Sequence, residues 1–143
     1  MSCVRMRILG FNTGLMMNET LHTALRQAIG AHFSWQLHLK SGIDHGKAPM
    51  PVDQASACDC CDFGKWLAAP EQKATLGESV QFRVIDRLHR EFHLCAGRVV
   101  EQIALGDLEA AHRLLETEFK PQSEHLVAGL SKWLREAGRG EAA

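Results

Sequence analysis

The stretch that decides the fold is GESVQFRVIDRLHREFHLCAGRVVEQIAL, residues 77–105. Its apolar residues recur every three or four positions, and one histidine falls in the same series: Phe82, Ile85, His89, Phe92, Ala96, Val99 and Ile103. A series with this spacing lines one face of an α-helix. The stretch therefore predicts a long helix over about residues 77–105 whose inner face carries histidine.

The upstream region repeats this spacing and also contains a histidine. The series is Leu21, Leu25, Ile29, His32, Gln36, Leu39 and Ile43. Asn18 or Thr20 is expected to cap this first helix, because either side chain accepts a hydrogen bond from an unpaired amide of the first turn. His32 is therefore predicted on a buried helical stripe.

The downstream region predicts a further helix with an interruption. Its apolar series is Leu108, Leu115, Phe119, Leu126, Leu130 and Leu134. Asp107 is expected to cap the start. Pro121 is expected to kink or split the helix, because proline lacks the N–H and its ring collides with the preceding turn.

The segment between the first two helices is rich in glycine and proline. Gly42, Gly46, Pro49 and Pro51 are expected to end the first helix and open a loop of about fifteen residues. A short helix is predicted from Asp59 to about Ala68. Ser56 or Asp59 is expected to cap it, and Pro70 to stop it.

Together these elements predict an all-α protein. No segment alternates with period two for long enough to indicate a strand. Helices of this length with short or medium connections predict an antiparallel four-helix bundle with a short extra helix that carries Cys61. We expect residues 1–17 to form a poorly ordered tail, residues 18–137 the bundle, and residues 138–143 a frayed tail.

Composition narrows the class of function. The chain has 143 residues, 45% of them hydrophobic, and a formal net charge of -1. It has no stripe of Lys and Arg that could follow phosphates, so we expect no nucleic-acid partner. It has no run of roughly 18 apolar residues, so we expect no membrane span. Five cysteines, an odd number, favour reduced thiols in the cytoplasm over a disulfide framework.

Four side chains form a candidate metal site. His89 and His93 are four residues apart, so their rings project from adjacent turns of one helix face, although this spacing alone is a weak signal. Cys61 adds a thiolate and His32 a third imidazole from other helices. Zinc prefers four N or S ligands at about 2.0 to 2.3 Å. We therefore predict a zinc site formed by His32, Cys61, His89 and His93.

The pair Cys58 and Cys61 leaves two alternatives open. One is a zinc site of Cys58, Cys61, His89 and His93 that omits His32. The other is a redox dithiol, which is typical of a βαβ context that this sequence does not predict. Trp35, Gly64 and Trp66 are expected to shield the site, with Gly64 letting another helix approach the sulfur closely.

Three segments together resemble the chemoreceptor zinc-binding domain, called CZB. They are HFSW at residues 32–35, CDFGKWL at residues 61–67 and HREFH at residues 89–93. The family pattern is a His with a Trp three residues on, a Cys-x-x-Gly-x-Trp core and a later His-x-x-x-His. The resemblance covers roughly residues 18–137 and includes Ser123. It implies a four-helix bundle, zinc held by three His and one Cys, frequent homodimers and a regulatory role in bacterial signalling.

The same resemblance indicates partners. CZB domains usually accompany chemoreceptors or diguanylate cyclases. This chain has no room for a methyl-accepting coiled coil or a cyclase domain, so we expect such a partner to be engaged in trans. The family resemblance also implies sensing of hypochlorous acid through the cysteine ligand.

A zinc ion with four protein ligands leaves no position for an activated water, so we expect no catalytic residue and no enzymatic activity. Such a site can respond to zinc level, or to oxidation of Cys61. Two alternatives remain. One is a hemerythrin-like di-iron bundle, which requires bridging carboxylates. The other is a purely structural zinc bundle that binds a partner.

Overall fold

A computed structural model describes residues 17–140 of the chain. The predicted N-terminal tail lies outside the described residues apart from Met17, and so do residues 141–143 of the predicted C-terminal tail. The helices are α1 (Met17–His45), α2 (Val52–Ser56), α3 (Asp62–Ala68), α4 (Pro70–Leu76), α5 (Val80–Ala104), α6 (Leu108–Leu114) and α7 (Lys120–Gly140), with a π-helical segment at Leu115–Phe119. Residues 17–140 contain no strand, which confirms the predicted all-α bundle.

The long helix predicted over residues 77–105 is α5. It begins at Val80 because Ser79 caps it, with the Phe82 amide donating to the Ser79 hydroxyl at 3.0 Å. The predicted apolar series is buried along one face, and His93 lies on the same face. This face packs against α6, α7 and the short helix α2.

The first helix, α1, is longer than predicted. It begins at Met17, so Asn18 and Thr20 both lie inside it and the expectation that either caps it was wrong. A capping residue needs a non-helical backbone, which neither position has. The predicted stripe is buried at Leu21, Leu25, His32, Leu39 and Ile43.

The helix after Asp107 is split near Pro121, as predicted. Asp107 caps α6 by accepting a hydrogen bond from the Ala110 amide at 3.0 Å. The backbone then widens into the π-helical segment, where the Lys120 amide bonds to the Leu115 carbonyl five residues back. This widening accommodates Pro121, which has no N–H and would crowd a carbonyl of a regular α-helix.

Helix α7 runs on to Gly140. Residues 138–140, which were expected in the frayed tail, are therefore helical.

The segment between α1 and α5 contains more helix than predicted. The expected fifteen-residue loop includes α2, and α4 follows α3 after a single residue, Ala69. Pro70 ends α3 and occupies the first turn of α4, where its missing N–H is tolerated. These short helices close the side of the bundle next to α1 and α5, where Ala55, Phe63, Trp66 and Leu67 are buried.

The predicted start of α3 was three residues too early. The helix begins at Asp62, and its cap is Cys61 rather than Ser56 or Asp59. Ser56 instead donates to the Val52 carbonyl within α2 at 2.9 Å. Cys61, which was expected only as a metal ligand, therefore also caps α3.

Candidate metal centre

The four predicted ligand side chains meet in the interior of the bundle. His32 comes from α1, His89 and His93 from successive turns of α5, and Cys61 from the start of α3. One ligand atom from each lies within 4.8 Å of the other three. The predicted convergence of these four side chains is therefore confirmed, and their role as zinc ligands stays a prediction.

The separations within the cluster match the edges of a small tetrahedron. The Nε2 atom of His89 lies 3.1 Å from His32 Nε2 and 3.1 Å from His93 Nε2. Cys61 Sγ lies 3.2 Å from His89 Nε2 and 3.9 Å from His32 Nε2. Around a tetrahedral zinc ion these edges are about 3.3 Å between nitrogens and about 3.6 Å between nitrogen and sulfur, given the usual bond lengths. Both nitrogen–nitrogen separations are slightly shorter than the first figure, and the two nitrogen–sulfur separations lie on either side of the second.

Two of the imidazoles are held by backbone carbonyl groups. His32 Nδ1 lies 2.7 Å from the Ala28 carbonyl oxygen, and His93 Nδ1 lies 3.0 Å from that of Ala55. A carbonyl oxygen can only accept, so in both rings Nδ1 carries the proton and donates it. The lone pair of Nε2 is thereby left for a metal, an arrangement that orients histidine ligands in metalloproteins.

Gly97 of α5 lets helix α2 pack closely enough for the Ala55 carbonyl to reach His93. Ser56 packs on Gly97 so closely that a Cβ atom at Gly97 would collide with the serine hydroxyl. This contact seats α2 on α5 and brings the Ala55 carbonyl to His93. Sequence reasoning missed Ala55, because a backbone acceptor leaves no signal in the sequence.

Cys61 is held at the amino end of α3. The Gly64 amide donates to Cys61 Sγ at 3.3 Å. A Cβ atom at Gly64 would overlap the carbonyl oxygen of Cys58. The glycine therefore admits the backbone of the preceding turn, and the expectation that it admits another helix was wrong.

Burial sets the protonation of the cluster. The three histidines are each 1% exposed. Desolvation lowers the pKa of His32 to about 4 and also lowers those of His89 and His93. Desolvation likewise raises the pKa of the Cys61 thiol to about 11, against the opposing hydrogen bond from Gly64. At neutral pH the imidazoles are ready to bind a metal, whereas the thiol must first lose its proton.

Aromatic rings surround the cluster. Phe63 meets the His89 ring edge-on at 5.3 Å, and Trp66 stacks on Phe63 at 5.7 Å. Trp35 meets His93 edge-on at 5.3 Å. Trp35 thus contacts the His93 ring directly, while Trp66 contacts Phe63, which in turn contacts the His89 ring. Phe63 was missed as part of the site, although it stands two residues after Cys61 in the motif.

Cys58 is not brought into the cluster. The group of His, Cys, Asp and Glu atoms found among the described residues contains only His32, Cys61, His89 and His93. Cys58 instead presents its carbonyl oxygen to Cys61 Sγ at 3.8 Å. The structure therefore assembles the ligand set that includes His32 and not the set that includes Cys58.

A cavity of about 410 Å³ opens between α1 and α3 on one side of the cluster. Its lining includes His32, Cys61, Trp35, Ser34 and Gln54. The cysteine and the α1 histidine can therefore be reached from this cavity. His89 and His93 do not line it.

The chemistry of the donor set defines a class of protein. Three imidazoles and one thiolate, with no carboxylate in the described cluster, suit zinc and do not suit a carboxylate-bridged di-iron centre. The molecule is thus a helical bundle in which four N and S donor atoms are placed so that they could hold one metal ion. Within residues 17–140, none of the helices is both long and apolar enough to cross a bilayer.

The comparison with protein families identifies which class of metal-binding bundle this is. The family model described as "Chemoreceptor zinc-binding domain" (CZB) matches residues 32–100, a stretch that contains all four cluster residues. Over residues 32–100 the chain is thus similar to this family of zinc-binding domains. No curated protein and no solved structure matches the chain.

Proposed function

We propose that this protein is a zinc sensor domain of bacterial signalling in which His32, Cys61, His89 and His93 hold one Zn²⁺. The observation that carries the proposal is the convergence of four N and S donor atoms within 4.8 Å in a buried site. The match of residues 32–100 to a zinc-binding family supports the same metal. Zinc bound there would tie α1, α3 and α5 together.

We further propose that the protein acts as a binding and regulatory domain and not as an enzyme. Four protein ligands fill a tetrahedral zinc ion, so no position remains for an activated water. The surrounding rings of Trp35, Phe63 and Phe92 add no acid or base to the site. A closed site of this kind supplies structure that depends on the metal.

The signal would enter at Cys61. Binding requires its thiolate, so zinc level sets occupancy, and an oxidant such as hypochlorous acid would convert the thiolate to a weaker ligand. Loss of this one ligand would free the start of α3 from α1 and α5. The histidines would keep their places on the two long helices.

The decisive experiment is metal analysis of the purified protein and two variants. We expect one zinc ion per chain and no visible absorption in the wild type. His32→Ala should bind zinc far more weakly, while Cys58→Ala should bind it as the wild type does. Two irons per chain with visible charge-transfer bands would overturn the proposal, as would loss of zinc in Cys58→Ala with retention in His32→Ala.

A purely structural zinc site gives a different result on metal removal. For a sensor we expect chelation to leave most of the helical circular dichroism in place, with hydrogen exchange increasing around residues 57–64. For a structural site, chelation should unfold the bundle as a whole. Measuring both signals on the same sample separates these two outcomes.

The output would pass through a second protein. By its family we propose a cytoplasmic homodimer that acts in trans on a chemoreceptor or a diguanylate cyclase. Light scattering with and without zinc tests the dimer. A monomer under both conditions would remove this part of the proposal and leave the metal site unaffected.

A further inference from the structure

Resting on the proposed function, we infer that Cys58 is a resolving thiol that captures oxidised Cys61 in a disulfide. The capture would make loss of the thiolate ligand reversible. The sequence places these residues in a CxxC motif, and the cluster described above uses only its second cysteine. The motif thus has an unassigned thiol next to the ligand.

The backbone between the two cysteines folds back on itself. The Cys60 amide lies 3.4 Å from the Ala57 carbonyl, which closes a turn, and Cys61 Sγ lies 3.8 Å from the Cys58 carbonyl. An extended chain would separate residues three apart by about 10 Å. The backbone of Cys58 is therefore held beside the Cys61 sulfur.

The packing of Gly64 fixes this position. Because Gly64 has no Cβ, the Cys58 carbonyl lies directly on the first turn of α3. The same glycine donates its amide to Cys61 Sγ. Cys58 and Cys61 are thus both fixed to one residue, so their separation is set by α3 and not by the longer loop.

Both thiols are accessible enough for the reaction. Cys58 and Cys61 are free and half-buried, whereas the remaining free thiol among the described residues, Cys95, is buried. The cavity beside α1 gives a small oxidant a route to Cys61. Cys58 is not part of the metal cluster, so it is available while zinc is bound.

The chemistry takes two steps. A hypohalous acid transfers its oxygen to the Cys61 thiolate, forming a sulfenic acid and releasing a halide ion; sulfur loses two electrons. The Cys58 sulfur then attacks the Cys61 sulfur, an S–S bond forms, and the S–O bond breaks with release of water. Without the thiolate, only His32, His89 and His93 would remain to hold zinc.

The test is oxidation of the zinc-loaded chain with one equivalent of hypochlorous acid, followed by intact mass and peptide mapping. We expect the wild type to lose about 2 Da and to yield a peptide linked through Cys58 and Cys61. In Cys58→Ala we expect a gain of about 16 Da, or about 32 Da after further oxidation of Cys61. Cys95→Ala is the matched control and should behave as the wild type.

Reversibility is the second readout. After treatment with a thiol reductant, the wild type should recover its zinc content, while Cys58→Ala should recover up to about twofold less, because one equivalent of oxidant can convert at most half of the Cys61 thiols to sulfinic acid, which thiols do not reduce. A wild-type product with Cys61 oxidised but not linked to Cys58, or linked to another cysteine, would overturn the inference. Zinc content before oxidation tests the proposed function separately, since Cys58→Ala should already match the wild type there.

Discussion

The two parts of the metal centre are built differently. The histidine side consists of His32, His89 and His93, which are 1% exposed and lie within helices of 29 and 25 residues. The thiolate arm is the segment Ala57–Gly64, a turn followed by the first residues of a seven-residue helix. Segments with few buried contacts open locally at low cost, whereas long packed helices do not. The centre therefore combines three donors on long helices with one donor on a short segment, and we expect the single donor to be easier to displace.

The largest expected effect comes from breaking the histidine side at its centre. His89 Nε2 contacts each of the other three ligand atoms at 3.1 to 3.2 Å. His89→Ala should weaken zinc binding by more than the roughly 100-fold that loss of a supporting residue costs. Competition with a zinc-binding dye measures the change.

Two further variants show whether the loss of zinc affinity in His89→Ala is specific to the histidine side. His125→Ala removes an exposed histidine of α7 and should leave zinc affinity unchanged. Cys61→Ala should lose less affinity than His89→Ala, because His89 Nε2 lies within 3.2 Å of all three other donor atoms, whereas Cys61 Sγ is 3.9 Å from His32 Nε2. Equal losses in the two ligand variants would show that the two sides contribute alike.

The second effect is the acid sensitivity of the metal-free histidine side. Burial lowers the pKa of His32 from 6.5 to about 4, so below pH 6.5 the unfolded chain binds this proton more readily than the folded one. Stability from this residue is complete above pH 6.5 and is lost as the pH falls toward 4. At pH 5 the loss is about 2 kcal/mol from His32 alone, and His89 and His93 act in the same direction.

Urea unfolding of chelator-treated protein at pH 7 and pH 5 checks this expectation. His32→Gln is the matched variant, since glutamine does not titrate in this range, and it should show a smaller difference between the two pH values. If the wild type were equally stable at both, the buried imidazoles would have to be hydrated in the metal-free state.

The third effect concerns the thiolate arm. A Cβ atom at Gly64 would overlap the Cys58 carbonyl oxygen, so Gly64→Ala must move the turn away from α3. We expect a loss of about 1 to 3 kcal/mol, as for other overpacked sites, together with weaker zinc binding. Gly30→Ala is the control. Its Cβ would meet nothing within 4 Å, so that variant should be slightly stabilised.

The thiolate arm is also where sequence reasoning reached its limit. Period 3.6 predicted α1 and α5 together with the inward direction of their histidines, because burial over many turns repeats in the sequence. The turn at Ala57–Gly64 has no such repeat. Its cap is a cysteine, which a search for Ser, Thr, Asp or Asn does not consider.

Contacts made by the backbone were equally invisible in the sequence. The Ala55 carbonyl that orients His93 depends on α2, a five-residue helix within a predicted loop. Gly97 and Gly64 are needed for what packs against them, which only the fold supplies. Helical spacing, ligand chemistry and a family resemblance predicted the four ligands, but the residues that hold them emerged from the structure.

The smallest effect is the pH dependence of zinc affinity, to which the histidine side and the thiolate arm contribute differently. The imidazoles are already neutral above pH 6, whereas burial raises the pKa of Cys61 to about 11, so zinc binding should release one proton, from the thiol. Apparent affinity should then rise about tenfold per pH unit between about pH 6 and 9, with no added slope from histidine. Dye competition across this range measures the slope, and Cys61→Ala should flatten it. A flat wild-type profile would mean that the Gly64 amide already holds the metal-free sulfur as a thiolate, and the thiolate arm would then be as preorganised as the histidine side.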